Sequence, residues 1–87
     1  MTVTLDGRFM TTRDNAHEHL AQQLKLPDWY GRNFDALYDL LTAGIGAETI
    51  VLTHAGELEE LGAYGRRLLQ VLRDAAESGG PAFEIVE

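Results

Sequence analysis

The sequence predicts an α/β fold: a small parallel sheet with helices packed on it. Two observations lead there. Short strand-like segments stand at both ends and in the middle of the chain, and segments of helical period fill the intervals, in the order β-α-α-β-(α)-α-β. The size and composition agree with a single domain over residues 1–87. Hydrophobic residues make up 45% and charged ones 24%, an ordinary globular mix.

Thr2-Val3-Thr4-Leu5-Asp6 alternates polar and apolar residues, which reads as a strand with Val3 and Leu5 inward. Asp6-Gly7 could turn a hairpin back through Phe9, but the polar stretch that follows favours a loop. Thr11 and Asp14 have capping-box spacing. Ala16, Leu20 and Leu24 then recur every four residues as the buried stripe of a first helix. Pro27 ends that run and holds Leu26 extended. Asn33 can cap a second helix from Phe34 to about Ala43, terminated by Gly44 and Gly46.

Thr49-Ile50-Val51-Leu52-Thr53 is short, β-branched and apolar, the pattern of a strand covered on both faces. A weak helical turn around Glu57–Leu61 follows. Tyr64, Leu68, Val71, Leu72 and Ala75 carry the strongest helical period, stopped by Ser78-Gly79-Gly80-Pro81. Phe83 and Ile85, alternating with Glu84, close the chain as a strand.

Charge narrows the function. Fourteen acids against seven bases give a net charge of -7, which repels phosphate backbones and anionic lipid, so direct nucleic-acid and membrane binding are not expected. The acidity is uneven. Residues 28–60 hold Asp28, Asp35, Asp39, Glu48, Glu57, Glu59 and Glu60 against Arg32 alone, a net of -6, which points to a basic partner. No cysteine is present, as suits a reducing compartment. Residues 1–6 lack the basic start and apolar run of a secretory signal, and no apolar run approaches a membrane span.

Enzyme chemistry finds no support. His17-Glu18-His19 resembles a metal motif only superficially, because residues two apart diverge on a helix. It reads as a solvated face. His54 has no nucleophile near it in sequence, and Ser78 sits in a helix-capping context, so a hydrolytic triad is not formed. Asp35 and Asp39 would both be solvated on one exposed helix, leaving them without the divided protonation that acid–base chemistry needs. The glycines never form a phosphate cradle followed by lysine. No cofactor or metal site is expected.

The informative segment runs from Leu26 to Thr42. On a helix, Phe34, Leu37 and Leu41 share a face that can pack on the sheet, and Asp35, Tyr38, Asp39 and Thr42 gather on another. Two like charges one turn apart cost about 0.2–0.5 kcal/mol. Asp35, in the first turn, gains from the helix dipole and Asp39 does not. A helix built for stability alone would place a cation near position 39. Trp29, Tyr30 and Tyr38 lie beside these carboxylates, and rigid aromatics next to directed charge suit an interface core. Of the loop pair, Tyr30 is expected to be the more enclosed and Trp29 the more exposed.

The pattern Leu26-Pro27-x-Trp29-Tyr30-Gly31-x-Asn33-x-Asp35-Ala36-Leu37-Tyr38-Asp39-x-Leu41-Thr42 resembles the barstar family of intracellular ribonuclease inhibitors. Weaker likeness extends to the opening strand, the first helix and the segment 69–75. The resemblance implies a three-stranded parallel sheet with helices on one side. It also implies a function: plugging the active site of a small secreted guanyl-specific ribonuclease, barnase or a relative, in the bacterial cytoplasm before export, as one half of a toxin–antitoxin-like 1:1 heterodimer. On that resemblance, Asp39 would take the place of the substrate phosphate, and Asp35 would meet an arginine near the guanine site. Trp29 and Tyr30, at the corner made with Gly31, would lie on the cleft wall. Asn33, Tyr38, Thr42 and Gly44 would frame the contact, and Asp74 would be an outlying acid. The sequence departs from the best-known member at Trp29 (tyrosine there), at Tyr38 (tryptophan there), at Ala43-Gly44, which lacks a bulky aromatic, and at Asp74, one methylene short. The alternative is a barstar-like acidic module whose basic partner is not a ribonuclease.

Overall fold

The computed structural model describes residues 1–44 and 47–86. Strand β1 (Thr2–Asp6) leads through a 3-10 turn (Gly7–Phe9) to helix α1 (Arg13–Leu24) and helix α2 (Phe34–Thr42). Strand β2 (Thr49–Thr53), a 3-10 segment (Ala55–Leu61), helix α3 (Ala63–Glu77) and strand β3 (Ala82–Val86) complete the chain. The three strands form one parallel sheet in the order β1-β2-β3, with Val3 beside Ile50, Leu5 beside Leu52 and Phe83 beside Ile50. Helical crossovers join them, as parallel neighbours require.

One face of this sheet is the floor of the core. Val3, Leu5, Ile50 and Leu52 are buried there, together with Leu20 and Leu24 of α1, Leu37 and Leu41 of α2, and Leu68 and Leu72 of α3. The opposite face carries Thr4, Val51 and Glu84 in neighbouring register. Thr4 and Glu84 are exposed and Val51 is half-buried. The expectation that β2 is covered on both faces is therefore corrected. An apolar run such as Ile50-Val51-Leu52 identifies a central strand, but a three-stranded sheet with polar edge neighbours can leave alternate residues half open. At edge strand β3, Ile85 remains 37% exposed, whereas Leu5 on the other edge strand is fully buried.

Local signals are mostly obeyed. The Asn33 side chain accepts from Ala36 N and starts α2, and Gly44 at φ +85° follows its end. The other proposed terminator, Gly46, lies outside the described residues. At α1 the cap is Thr12 and not Thr11, because Thr12 is the extended residue whose hydroxyl accepts from Asn15 N. Asp6-Gly7 makes no hairpin: the Asp6 carboxylate accepts from Arg8 N and opens the 3-10 turn. Gly65 lets α3 close on the 3-10 segment before it, since a Cβ there would stand 2.5 Å from the Leu58 carbonyl oxygen. Among the described residues no helix is long and apolar enough to cross a membrane.

Candidate interaction site

The segment between α1 and α2 is a short loop whose geometry is set at both ends. Lys25 caps α1 in the left-handed conformation, Tyr30 N donates to the Pro27 carbonyl at 2.9 Å, and Arg32 turns through φ +52° before the Asn33 cap. The Asn33 amide also donates to the Gly31 carbonyl. Arg32 reaches back to Glu18 of α1 at 2.9 Å. Within this loop the two aromatics part as expected: Tyr30 is 7% exposed and Trp29 76%.

Tyr30 is enclosed because α1 supplies a partner. Its hydroxyl lies 2.7 Å from Nδ1 of His17, and the other ring nitrogen of His17 meets the hydroxyl of Tyr64 on α3. A neutral imidazole has one donor and one acceptor nitrogen, so one tyrosine donates to it and the other accepts. Burial, with the nearby Arg32 charge, pushes the His17 pKa below its ordinary value. Burial, with Tyr64 alongside, pushes Tyr30 up. The loop that presents Trp29 is thus pinned from beneath by a neutral histidine.

The reading of His17-Glu18-His19 as a solvated face is corrected by the same geometry. The two histidines diverge, as spacing requires, but into two buried flanks of α1. His17 goes to the tyrosines and His19, 8% exposed, accepts the Asp6 backbone N–H at 2.9 Å. Spacing did carry a signal: His17, Leu20 and Leu24 are themselves separated by three and four residues. Among the described residues, no group of His, Cys, Asp or Glu stands close enough together to hold a metal ion.

On α2, Asp35 and Asp39 are exposed, one turn apart. Among the described residues neither forms an ion pair or a side-chain hydrogen bond. Tyr38 and Thr42, on the same face, are half-buried. The Thr42 hydroxyl donates to the Tyr38 carbonyl of its own helix. The Tyr38 hydroxyl donates to Ser78 Oγ at 2.8 Å and draws the end of α3 against α2. Asp74, one turn before Ser78, accepts from Gln70 at 2.8 Å. Leu37 and Leu41 enter the core, whereas Phe34 is half-buried at its margin, against Tyr64 and His17.

The structure therefore carries Trp29, Gly31, Asn33, Asp35, Tyr38, Asp39 and Thr42 on one loop–helix unit, and Asp74 on α3, one turn before the Ser78 that Tyr38 bonds. Tyr30 is a support beneath that unit. The acidic middle third is not one patch. Glu57, Glu59 and Glu60 sit on the 3-10 segment, which packs on α3 and on the 3-10 turn after β1, and Glu48 pairs with the N-terminus. What stands on α2 is a pair of exposed carboxylates in no ion pair among the described residues, and the loop before it carries an exposed indole.

The sequence model of a protein family described as "Barstar (barnase inhibitor)" matches residues 1–86. The chain belongs to the barstar family. A Bacillus subtilis (strain 168) protein named "Putative ribonuclease inhibitor YrdF" is 33% identical over 86 residues, covering 97% of this chain and 94% of that protein. The barstar match takes in every element that builds the loop–helix unit: α1 and its His17, the loop, α2 and α3.

Proposed function

We propose that this barstar-family protein inhibits a small secreted guanyl-specific ribonuclease by filling its active-site groove with the 29–33 loop and the outer face of α2. The observation that carries this reading is the pair Asp35 and Asp39, exposed, one turn apart and in no ion pair among the described residues. An enzyme that binds a phosphodiester must offer a cationic groove, and a carboxylate on a preformed helix can occupy the phosphate position without an ordering cost. Asp39 takes the phosphate position and Asp35 an arginine near the base site. Trp29 supplies apolar area at the wall, with Gly31, Asn33, Tyr38, Thr42 and Gly44 around the contact and Asp74 at its rim. The protein acts in the cytoplasm as a 1:1 complex and performs no catalysis of its own.

The test is titration of barnase and related guanyl-specific ribonucleases with the purified protein while RNA cleavage is followed. Loss of activity that reaches completion at one equivalent is the expected result. Association is also expected to slow steeply as salt is added, since screening removes the attraction between exposed opposite charges. Absence of inhibition across the panel would transfer the site to a basic partner of another kind.

A further inference from the structure

The acidic face of α2 ends, at its first turn, against a basic and aromatic platform. Phe34 stacks on Tyr64 of α3 with ring centroids 4.6 Å apart. The Arg13 guanidinium lies 4.4 Å from the Tyr64 ring centre, and that of Arg67 lies 5.6 Å from the Phe34 ring centre. The His17 ring supports both aromatics, its centroid 5.9 Å from each. Three elements thus contribute to one surface, with Arg13 on α1, Phe34 on α2, and Tyr64 and Arg67 on α3.

Of the seven bases, Arg8 and Arg32 join ion pairs among the described residues, and the platform's arginines are among those that do not. Fourteen acids are available, yet among the described residues neither Arg13 nor Arg67 joins an ion pair. Arg67 and Asp35 line the same cleft, about 230 Å³, with Asn33, Phe34 and Tyr64, and still do not pair. A guanidinium near an aromatic ring can still offer its N–H donors to a planar acceptor. A cleft with an open carboxylate on one side and an open guanidinium on the other fits a surface of alternating charge. It disfavours a polyanion, because Asp35 and the net charge of -7 repel one.

We infer that the inhibitory surface extends from the acidic face onto this platform, and that the partner enzyme carries a carboxylate at the rim of its cationic groove. Arg67 receives that carboxylate with Arg13 beside it, while Asp35 takes the neighbouring cation. The inference rests on the inhibitory reading above and adds a selection rule to it. A ribonuclease whose rim is cationic throughout meets Arg67 with like charge and is bound less well.

The decisive feature of the test is its sign. If Arg67 acts only through the overall field, removing its charge makes the protein more negative and strengthens inhibition of a cationic enzyme. If Arg67 receives a carboxylate, removal weakens inhibition. Inhibition constants would be measured with barnase and several guanyl-specific ribonucleases differing in rim charge, for the wild type and for Asp39→Ala, Arg13→Gln, Arg67→Gln and Arg67→Glu. For the enzyme bound best, Arg67→Gln is expected to weaken inhibition about tenfold and Arg67→Glu more than that. Replacing the rim acid of that enzyme by arginine should restore binding to Arg67→Glu. Arg67→Lys, which keeps the charge and loses the planar fork, should fall between the wild type and Arg67→Gln. Thermal unfolding of each variant separates these effects from misfolding, and the rescue by the enzyme variant is immune to it. If Asp39→Ala abolishes inhibition while the Arg67 variants match or exceed the wild type, the platform inference falls alone. If the wild type inhibits none of the enzymes, both readings fall.

Discussion

His17 and Asp39 are both ionisable side chains on neighbouring helices, and they occupy opposite environments. His17 is 3% exposed and meets a tyrosine hydroxyl at each nitrogen, whereas Asp39 is exposed and forms no ion pair among the described residues. A satisfied buried polar group holds structure together, because removing it orphans its partners. An unpaired exposed charge does little for its own fold and is free for another molecule. Charge type alone does not separate the two roles. The state of the partners does.

The comparison can be tested from both ends. The largest effect is expected for His17→Ala, which leaves a cavity and deprives two tyrosine hydroxyls of their partner. A loss of about 2–4 kcal/mol in urea unfolding is expected, and a loss under 0.5 kcal/mol would mean that the clamp on Tyr30 does not support the loop. Asp39→Ala should do the reverse. Inhibition falls about 30-fold or more, while stability holds or rises by a few tenths of a kcal/mol as repulsion with Asp35 is relieved. If stability falls with inhibition, Asp39 belongs to the fold after all.

Phe34→Ala should cost about 1–2 kcal/mol, below the range for a fully buried ring, since Phe34 is half-buried. A loss above 3 kcal/mol would show that the ring belongs to the central core. Acid should act on the histidine side of the comparison. Burial depresses the pKa of both His17 and His19, so their contribution is complete above the ordinary value of 6.5 and is lost as the pH falls below it. Asp6, held at about 2 by its hydrogen bond from Arg8, titrates outside that range. Unfolding free energy should therefore decline between pH 7 and pH 5, and His17→Gln should flatten the decline. The smallest effect is expected for Asp74→Ala, under threefold in inhibition, because a rim charge is solvated and already bonded to Gln70. A loss equal to that of Asp39→Ala would move the centre of the contact toward α3.

Much of this was legible from residue order. Alternation at Val3 and Leu5, the Asn33 cap, the Leu20/Leu24 stripe and the divergence of Asp35 and Asp39 from Leu37 and Leu41 are local periodicities, and local geometry obeys them. So is the contrast between Tyr30 and Trp29, since adjacent loop residues cannot both point inward. The acidity of residues 28–60 was legible as composition but not as a patch, because β2 and the 3-10 segment carry its later acids away from α2.

Tertiary structure alone decided what lies opposite each polar group. His17, Glu18 and His19 give the same helical reading whether solvated or buried. Only the arrival of Tyr30 and Tyr64, 13 and 47 residues away, makes His17 a clamp. Likewise Arg13, Phe34 and the Tyr64/Arg67 pair lie on three separate helices, and they meet because those helices cover one face of a small sheet. Sequence spacing specifies which side of its own helix a residue occupies. Whether that side meets a partner, and of what charge, depends on elements distant in the chain, and it is this pairing that separates a structural side chain from a recognising one.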